Sequence, residues 1–171
     1  RVEADGSETY LAGKTEEEVY AALDLPCYPP ELRENRGEFA YERAEDLPRL
    51  VELGDLVADL HMHTTHTDGK NSLEEMVAEA QARGFRYIAI TDHSKRVSMA
   101  RGLDADRLRL AWKEIDRLNA RLEGFRILKG IECDILERGG MDLDDQVLSE
   151  ADWVIASLHY GQKQSREQIT D

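Results

Sequence analysis

Four short apolar runs, LVADL, YIAIT, RILKGIECDIL and DWVIASL, recur from Leu56 onward with longer polar stretches between them. Continuous apolar runs of this length read as strands buried on both faces. The stretches between them read as helices. NSLEEMVAEAQARG opens with Ser72 and Glu75 as a capping box, sets Leu73, Met76, Val77 and Ala80 on one face, and stops at Gly84. Leu108, Ala111, Trp112, Ile115, Leu118 and Leu122 recur at helical spacing, and DDQVLSEA gives a short third helix. Strand-helix alternation of this kind implies an α/β fold on a parallel sheet with crossover helices, either open or closed into a barrel.

Composition changes near residue 50. Pro26, Pro29, Pro30 and Pro48 are all the prolines in the chain, so a boundary is expected there, separating residues 1–50 from residues 51–171. In the first segment, Thr15 and Glu18 form a second expected capping box, and PCYPPELRENRGE ends the helix that follows. That segment alone reads as too small and polar for a stable fold. A formal charge of −14 argues against a nonspecific nucleic-acid or anionic-membrane binder. Cys27 and Cys133 form no CxxC pair, so neither a disulfide framework nor a zinc knuckle is indicated. No apolar run approaches the roughly 20 residues needed to cross a bilayer. The expectation is a soluble, cytoplasmic chain without membrane contact.

Functional groups in parallel α/β folds collect at the C-terminal ends of strands. Three of the five histidines fall within DLHMHTTHTDG. His61 and His63 close the first run, His93 closes the second in IAITDHS, Glu132 sits within the third, and His159 closes the fourth in VIASLHY. Each residue alone has an ordinary reading. His-x-His pairs arise by chance, Asp68 before Gly69 is a common turn, Asp92 could cap the next turn, and a strand-end histidine is often a satisfied structural one. Glu132 is harder to dismiss, because a carboxylate inside an apolar strand is costly unless paired or bound to a cation. Asp134 lies on the same face and is its rival. His66 reads as a loop residue. The joint placement of metal-capable side chains on four successive strands at one rim points to a metal site.

HMHTTHTDG, TDHS, GIECDI and ASLHY resemble, in order, the successive motifs of the PHP (polymerase and histidinol phosphatase) superfamily, from about Ala58 to the C-terminus. TDHSKRVSMARGL and WVIASLHYG are most similar to the PHP domain of bacterial family X DNA polymerases, and EEEVYAALDLPCYPPELRENRGEF resembles the end of that polymerase's core. The resemblance implies a distorted (β/α)7 TIM-like barrel, here cut after about four strands, following the tail and linker of a polymerase core. It implies up to three divalent ions, Zn²⁺ or Mn²⁺ from the ligand types. His61 and His63 would hold the first, Glu132 would bridge it to a second held by His159, and Asp68 with His93 would hold the third. Thr67 stands where serine is more usual. The family's later ligands have no counterpart before Asp171, so each ion would lack one protein ligand, and the segment alone is expected to be weakly active and prone to associate.

The resemblance also implies a phosphoesterase acting on DNA 3′ ends, a 3′-to-5′ exonuclease or phosphodiesterase of DNA repair, with the polymerase core of the same chain as partner. Lys95, Arg96 and Arg101 follow the second-strand histidine and are candidates for DNA backbone contacts, against the ordinary reading of a solvated basic loop. The alternatives are a small-molecule phosphatase of the histidinol phosphatase type and a noncatalytic PHP module that stabilises a polymerase.

Overall fold

The computed structural model describes residues 4–170. The chain divides into two compact units, Arg1–Val51 and Glu52–Asp171.

In the first unit, helix α1 (Glu16–Ala22) starts at Thr15, whose hydroxyl accepts from the Glu18 amide. The reciprocal half of the expected capping box does not form, because the Glu18 carboxylate accepts from the Lys14 amide instead. The unit is organised around Tyr28, which is 1 % exposed. Its ring meets Tyr20 and Phe39 edge-on at centroid distances of 5.5 and 5.6 Å, and its hydroxyl donates to the Tyr41 carbonyl. Arg33 grips both oxygens of Glu16 and donates from Nε to the Tyr28 carbonyl. Aromatic packing and a bidentate ion pair therefore give this polar, proline-rich stretch a small centre of its own.

The second unit is the α/β fold anticipated from the apolar runs. Strands β1 (Ala58–Met62), β2 (Tyr87–Ile90), β3 (Arg126–Asp134) and β4 (Trp153–Ser157) pair in parallel in sequence order and form a curled half-barrel. The inner strands are the buried ones: Ile88, Ala89, Ile127, Ile131 and Cys133 are fully enclosed, whereas β1 and β4 alternate with exposed positions, including Trp153 and Val154. Helices α2 (Leu73–Ala82) and α3 (Ala105–Asn119) supply Leu73, Val77, Leu108, Ala111, Trp112 and Ile115 to the core beside them. The Ser72–Glu75 capping box of α2 forms in full.

Helix α3 starts and ends three residues earlier than its apolar spacing alone suggests. Asp104 caps its start by accepting from the Arg107 amide. Its end is fixed by Asn119, whose side chain exchanges two hydrogen bonds with the Ile127 backbone at 2.8 and 2.9 Å. Helix α4 (Asp145–Leu148) is short, as expected. A fifth helix, α5 (Arg166–Thr170), was not anticipated, although Ser165 and Gln168 make a reciprocal cap at its start.

One contact ties α3 to the sheet. The indole nitrogen of buried Trp112 donates to the Gly130 carbonyl at 3.0 Å. Glycine is required at that point, since a Cβ would lie 2.5 Å from the Ile90 carbonyl oxygen. Trp112→Phe keeps most of the packing but strands a buried acceptor in the middle of β3. A loss of about 1–3 kcal/mol of unfolding free energy is expected by urea titration; unchanged stability would mean that the bond contributes nothing.

Candidate metal centre

The strand ends deliver the candidate residues to one rim. β1 carries a register irregularity between Asp59 and Met62, just before it ends. His61 and His63 lie on the same side across it, with Nε2 atoms 3.2 Å apart. His93 follows β2 by three residues and bridges in parallel to Glu132 of β3. His159 follows β4 by two residues.

Glu132, 5 % exposed, is the hub. Its Oε2 lies 3.6 Å from Nε2 of His61, 3.6 Å from Nε2 of His63 and 2.9 Å from Nδ1 of His93, while Oε1 lies 3.3 Å from Nε2 of His159. The imidazoles line up beside one another, with centroids 5.2 Å apart for His61 and His63, 4.3 Å for His63 and His93, and 5.1 Å for His93 and His159. Asp68 completes the rim, with one oxygen 3.7 Å from His63 and the other 3.5 Å from His93. Three triads could each hold an ion: His61, His63 and Glu132; His63, Asp68 and His93; and His93, Glu132 and His159. Within each, the donor atoms lie within 4.8 Å of one another. The geometry thus shares His63 and His93 between adjacent triads.

Hydrogen bonding leaves this cluster incomplete. Among the described residues, the buried side-chain nitrogens and oxygens without a partner are His63 Nδ1, His93 Nδ1, Glu132 Oε2 and Asp134 Oδ2. His93 Nδ1 and Glu132 Oε2 are close, but they lack the alignment of a hydrogen bond. Unpartnered buried polar atoms are costly and rare, and those at one rim are imidazole nitrogens and carboxylate oxygens, the donor set that suits Zn²⁺ or Mn²⁺. Burial, followed by the neighbouring charge of His93, holds the His63 imidazole below its ordinary range. That favours the neutral ring a metal ligand requires.

The loop carrying Asp68 is pinned by a residue that sequence reasoning assigned elsewhere. Asp92, 2 % exposed, does not cap the turn after it. It reaches back to the β1–α2 loop, accepting from the Thr64 amide and hydroxyl at 2.8 and 2.7 Å and from the Thr67 hydroxyl at 2.5 Å. The hydroxyl is the part of Thr67 that this contact uses, and serine would supply it equally. Gly69 lets the loop close, since a Cβ there would sit 2.4 Å from the His63 carbonyl oxygen.

The basic residues separate. Arg101, in a left-handed conformation at φ 57°, donates to the Thr67 carbonyl of the same loop. Arg96 donates to Glu137, approaches Asp134 at 3.6 Å and stacks its guanidinium over the Tyr160 ring. Lys95 is exposed. His66 stands apart from the cluster and pairs with Glu114 of α3 at 3.1 Å. Asp134, the rival carboxylate, is 1 % exposed and lies against Nδ1 of His159 at 2.5 Å. Both carboxylates are buried, but Glu132 belongs to two of the three candidate triads and Asp134 to none. Neither the Asp92 clamp nor the Arg101 contact leaves a local sequence signal, because each joins residues 25 or more positions apart.

A half-barrel with histidines and one buried glutamate at its C-terminal rim defines a class, and the chain belongs to the PHP domain family, which matches residues 59–170. The DNA polymerase beta thumb family matches residues 2–34. Over 164 residues the chain is 48 % identical to the DNA polymerase/3'-5' exonuclease PolX of Bacillus subtilis (strain 168), a match covering 93 % of this chain and 28 % of that protein. It is 35 % identical over 106 residues to a probable phosphatase of Thermoanaerobacter sp. (strain X514), covering 61 % of this chain and 41 % of the relative. It is 39 % identical over 105 residues to a probable phosphatase of Edwardsiella ictaluri (strain 93-146), covering 59 % and 40 %. The chain therefore spans less than half the length of these relatives. No helix among the described residues is long and apolar enough to cross a membrane.

The lowered His63 value has a consequence for metal-free protein. Below the ordinary value of 6.5 the unfolded chain takes a proton that folded His63 resists. The unfolded state then binds more protons, and stability falls as the pH drops through 6.5 toward the lower folded value. Chelator-treated protein should melt lower at about pH 5.5 than at about pH 7.5, and His63→Gln should shrink that difference. An undiminished difference in His63→Gln would assign the effect to other groups.

Proposed function

We propose that the rim is a multinuclear divalent-metal centre of a phosphoesterase acting on DNA 3′ ends, in a protein that also carries a polymerase core. The observation that carries the reading is the convergence of unpartnered buried donor atoms of His63, His93 and Glu132 beside His61, His159 and Asp68. Up to three ions, Zn²⁺ or Mn²⁺, would be held by these six residues, and when bound they would supply an activated water at neutral pH and offset charge on the phosphoryl oxygens. Glu132, by belonging to two triads, sets the spacing of the centre. Asp92 and Arg101 hold the Asp68 loop in place, so that loop need not order when substrate arrives. A local cation cluster would also reverse, at the rim, the field of a chain whose formal charge is −14.

The thumb match at residues 2–34 supports DNA as the substrate class and the polymerase core as the partner in the same protein. Exposed Lys95, two residues after His93, is a basic side chain available to a phosphate backbone, and we assign the activity to DNA repair in the cytoplasm. The phosphatase relatives favour a second reading, a small-molecule phosphatase with the same centre. The thumb segment weighs against it.

Two experiments test these assignments. His61→Ala and Glu132→Gln should weaken Zn²⁺ or Mn²⁺ binding by more than the roughly 10–100-fold typical of losing an outer partner, while His66→Ala should leave it unchanged. Equal losses in all three, measured by equilibrium dialysis with elemental analysis, would dissolve the ligand assignment. The full-length natural protein should release nucleotides or blocking phosphates from DNA 3′ ends in a chelator-sensitive reaction. Turnover of histidinol phosphate with none on DNA would move it to the phosphatase reading, and metal binding without either activity would leave a noncatalytic module.

A further inference from the structure

Asp134 is a buried carboxylate that the six-residue centre does not use. It sits two positions beyond Glu132 on β3, on the same face, and its Oδ1 lies 2.5 Å from Nδ1 of His159. A carboxylate can only accept, so this contact places the proton of a neutral His159 on Nδ1 and leaves Nε2 bare. That nitrogen lies 3.5 Å from the Ser157 hydroxyl, which can donate to it, and 3.3 Å from Glu132 Oε1, within the triad of His93, Glu132 and His159. Asp134 is held in turn: its amide donates to the Ser94 hydroxyl, and Arg96 Nε stands 3.6 Å from Oδ2. Arg96 is anchored on Glu137, so three successive rim loops converge behind one imidazole.

We infer that Asp134 is a positioning residue, which fixes the tautomer and orientation of His159 so that its Nε2 lone pair is presented to the metal centre. In water the neutral imidazole favours the opposite tautomer, with the proton on Nε2, so His159 without a partner would offer the wrong nitrogen much of the time. An outer carboxylate behind a ligating histidine also raises the basicity of the ligating nitrogen. The His159 side chain is partly exposed where that of His93 is nearly enclosed, so packing around the ring gives it less support. The consequence for metal affinity rests on the metal-centre reading above; the tautomer assignment does not.

The test uses ¹⁵N NMR of histidine side chains in metal-free protein, followed by Zn²⁺ titration. Wild-type His159 is expected to show a protonated Nδ1 and a bare Nε2. Asp134→Ala should shift it to a mixture dominated by protonated Nε2 and weaken Zn²⁺ binding roughly 10–100-fold. Asp134→Asn preserves the shape and covers the case in which the alanine variant does not fold; there an intermediate mixture and an intermediate loss of affinity are expected. His159 remaining in the wild-type tautomer in folded Asp134→Ala, or indistinguishable from wild type in Asp134→Asn, would overturn the inference. A shifted tautomer with unchanged Zn²⁺ affinity would overturn it too. Failure of the wild-type protein to bind Zn²⁺ or Mn²⁺ would defeat the metal-centre reading instead, and the tautomer comparison would still decide the role of Asp134.

Discussion

The rim of this half-barrel is arranged around one costly placement, the carboxylate of Glu132 buried in the third strand of a parallel sheet. Four imidazoles face it within 3.6 Å, and its closest approach, to Nδ1 of His93 at 2.9 Å, is not an aligned hydrogen bond. In an apolar strand such a group costs several kcal/mol unless a cation compensates it. The parallel sheet makes the placement possible. Strands entering side by side in sequence order bring residues separated by as many as 98 positions, from His61 to His159, onto one edge.

Around that hub, the supporting contacts are of a different kind. Asp92, Gly69 and Arg101 fix the loop that carries Asp68, and Asp134 with Arg96 stands behind His159. Asp92 and Asp134 are buried and the Arg96 side chain is mostly covered, whereas the rim residue Asp68 is exposed. The two arginines that follow His93 in sequence are therefore spent on loop geometry, which leaves Lys95 as the free positive charge of that segment. Charge counting along the sequence treats the three alike, and the fold separates them.

Much of the second unit was legible because its signals are local. Apolar runs marked the strands, Ser72 and Glu75 marked the start of α2, and residue types at strand ends marked the rim. Where local signals compete, the reading shifted: apolar spacing placed α3 at Leu108–Leu122, whereas the Asp104 cap and the Asn119 anchor to β3 set its limits at Ala105 and Asn119. Helix α5 was missed although its Ser165–Gln168 cap is written in the sequence, because its apolar face is too short to show periodicity. Residue type and spacing left Asp134 as a rival of Glu132, and it was the family resemblance that pointed to Glu132. Both point to the same face of β3, and only the positions of His93 on the neighbouring strand and His159 beyond the next distinguish them.

The central claim is that the unpartnered donors around Glu132 are metal ligands. It is tested most directly by anomalous diffraction from crystals of the protein grown with Mn²⁺ or Zn²⁺ and measured on both sides of the metal's absorption edge. The expected result is anomalous density among His61, His63, Asp68, His93, Glu132 and His159, with Glu132 touching more than one ion. A rim without anomalous density, in which Glu132 closes onto His93 as a direct ion pair, would contradict the account.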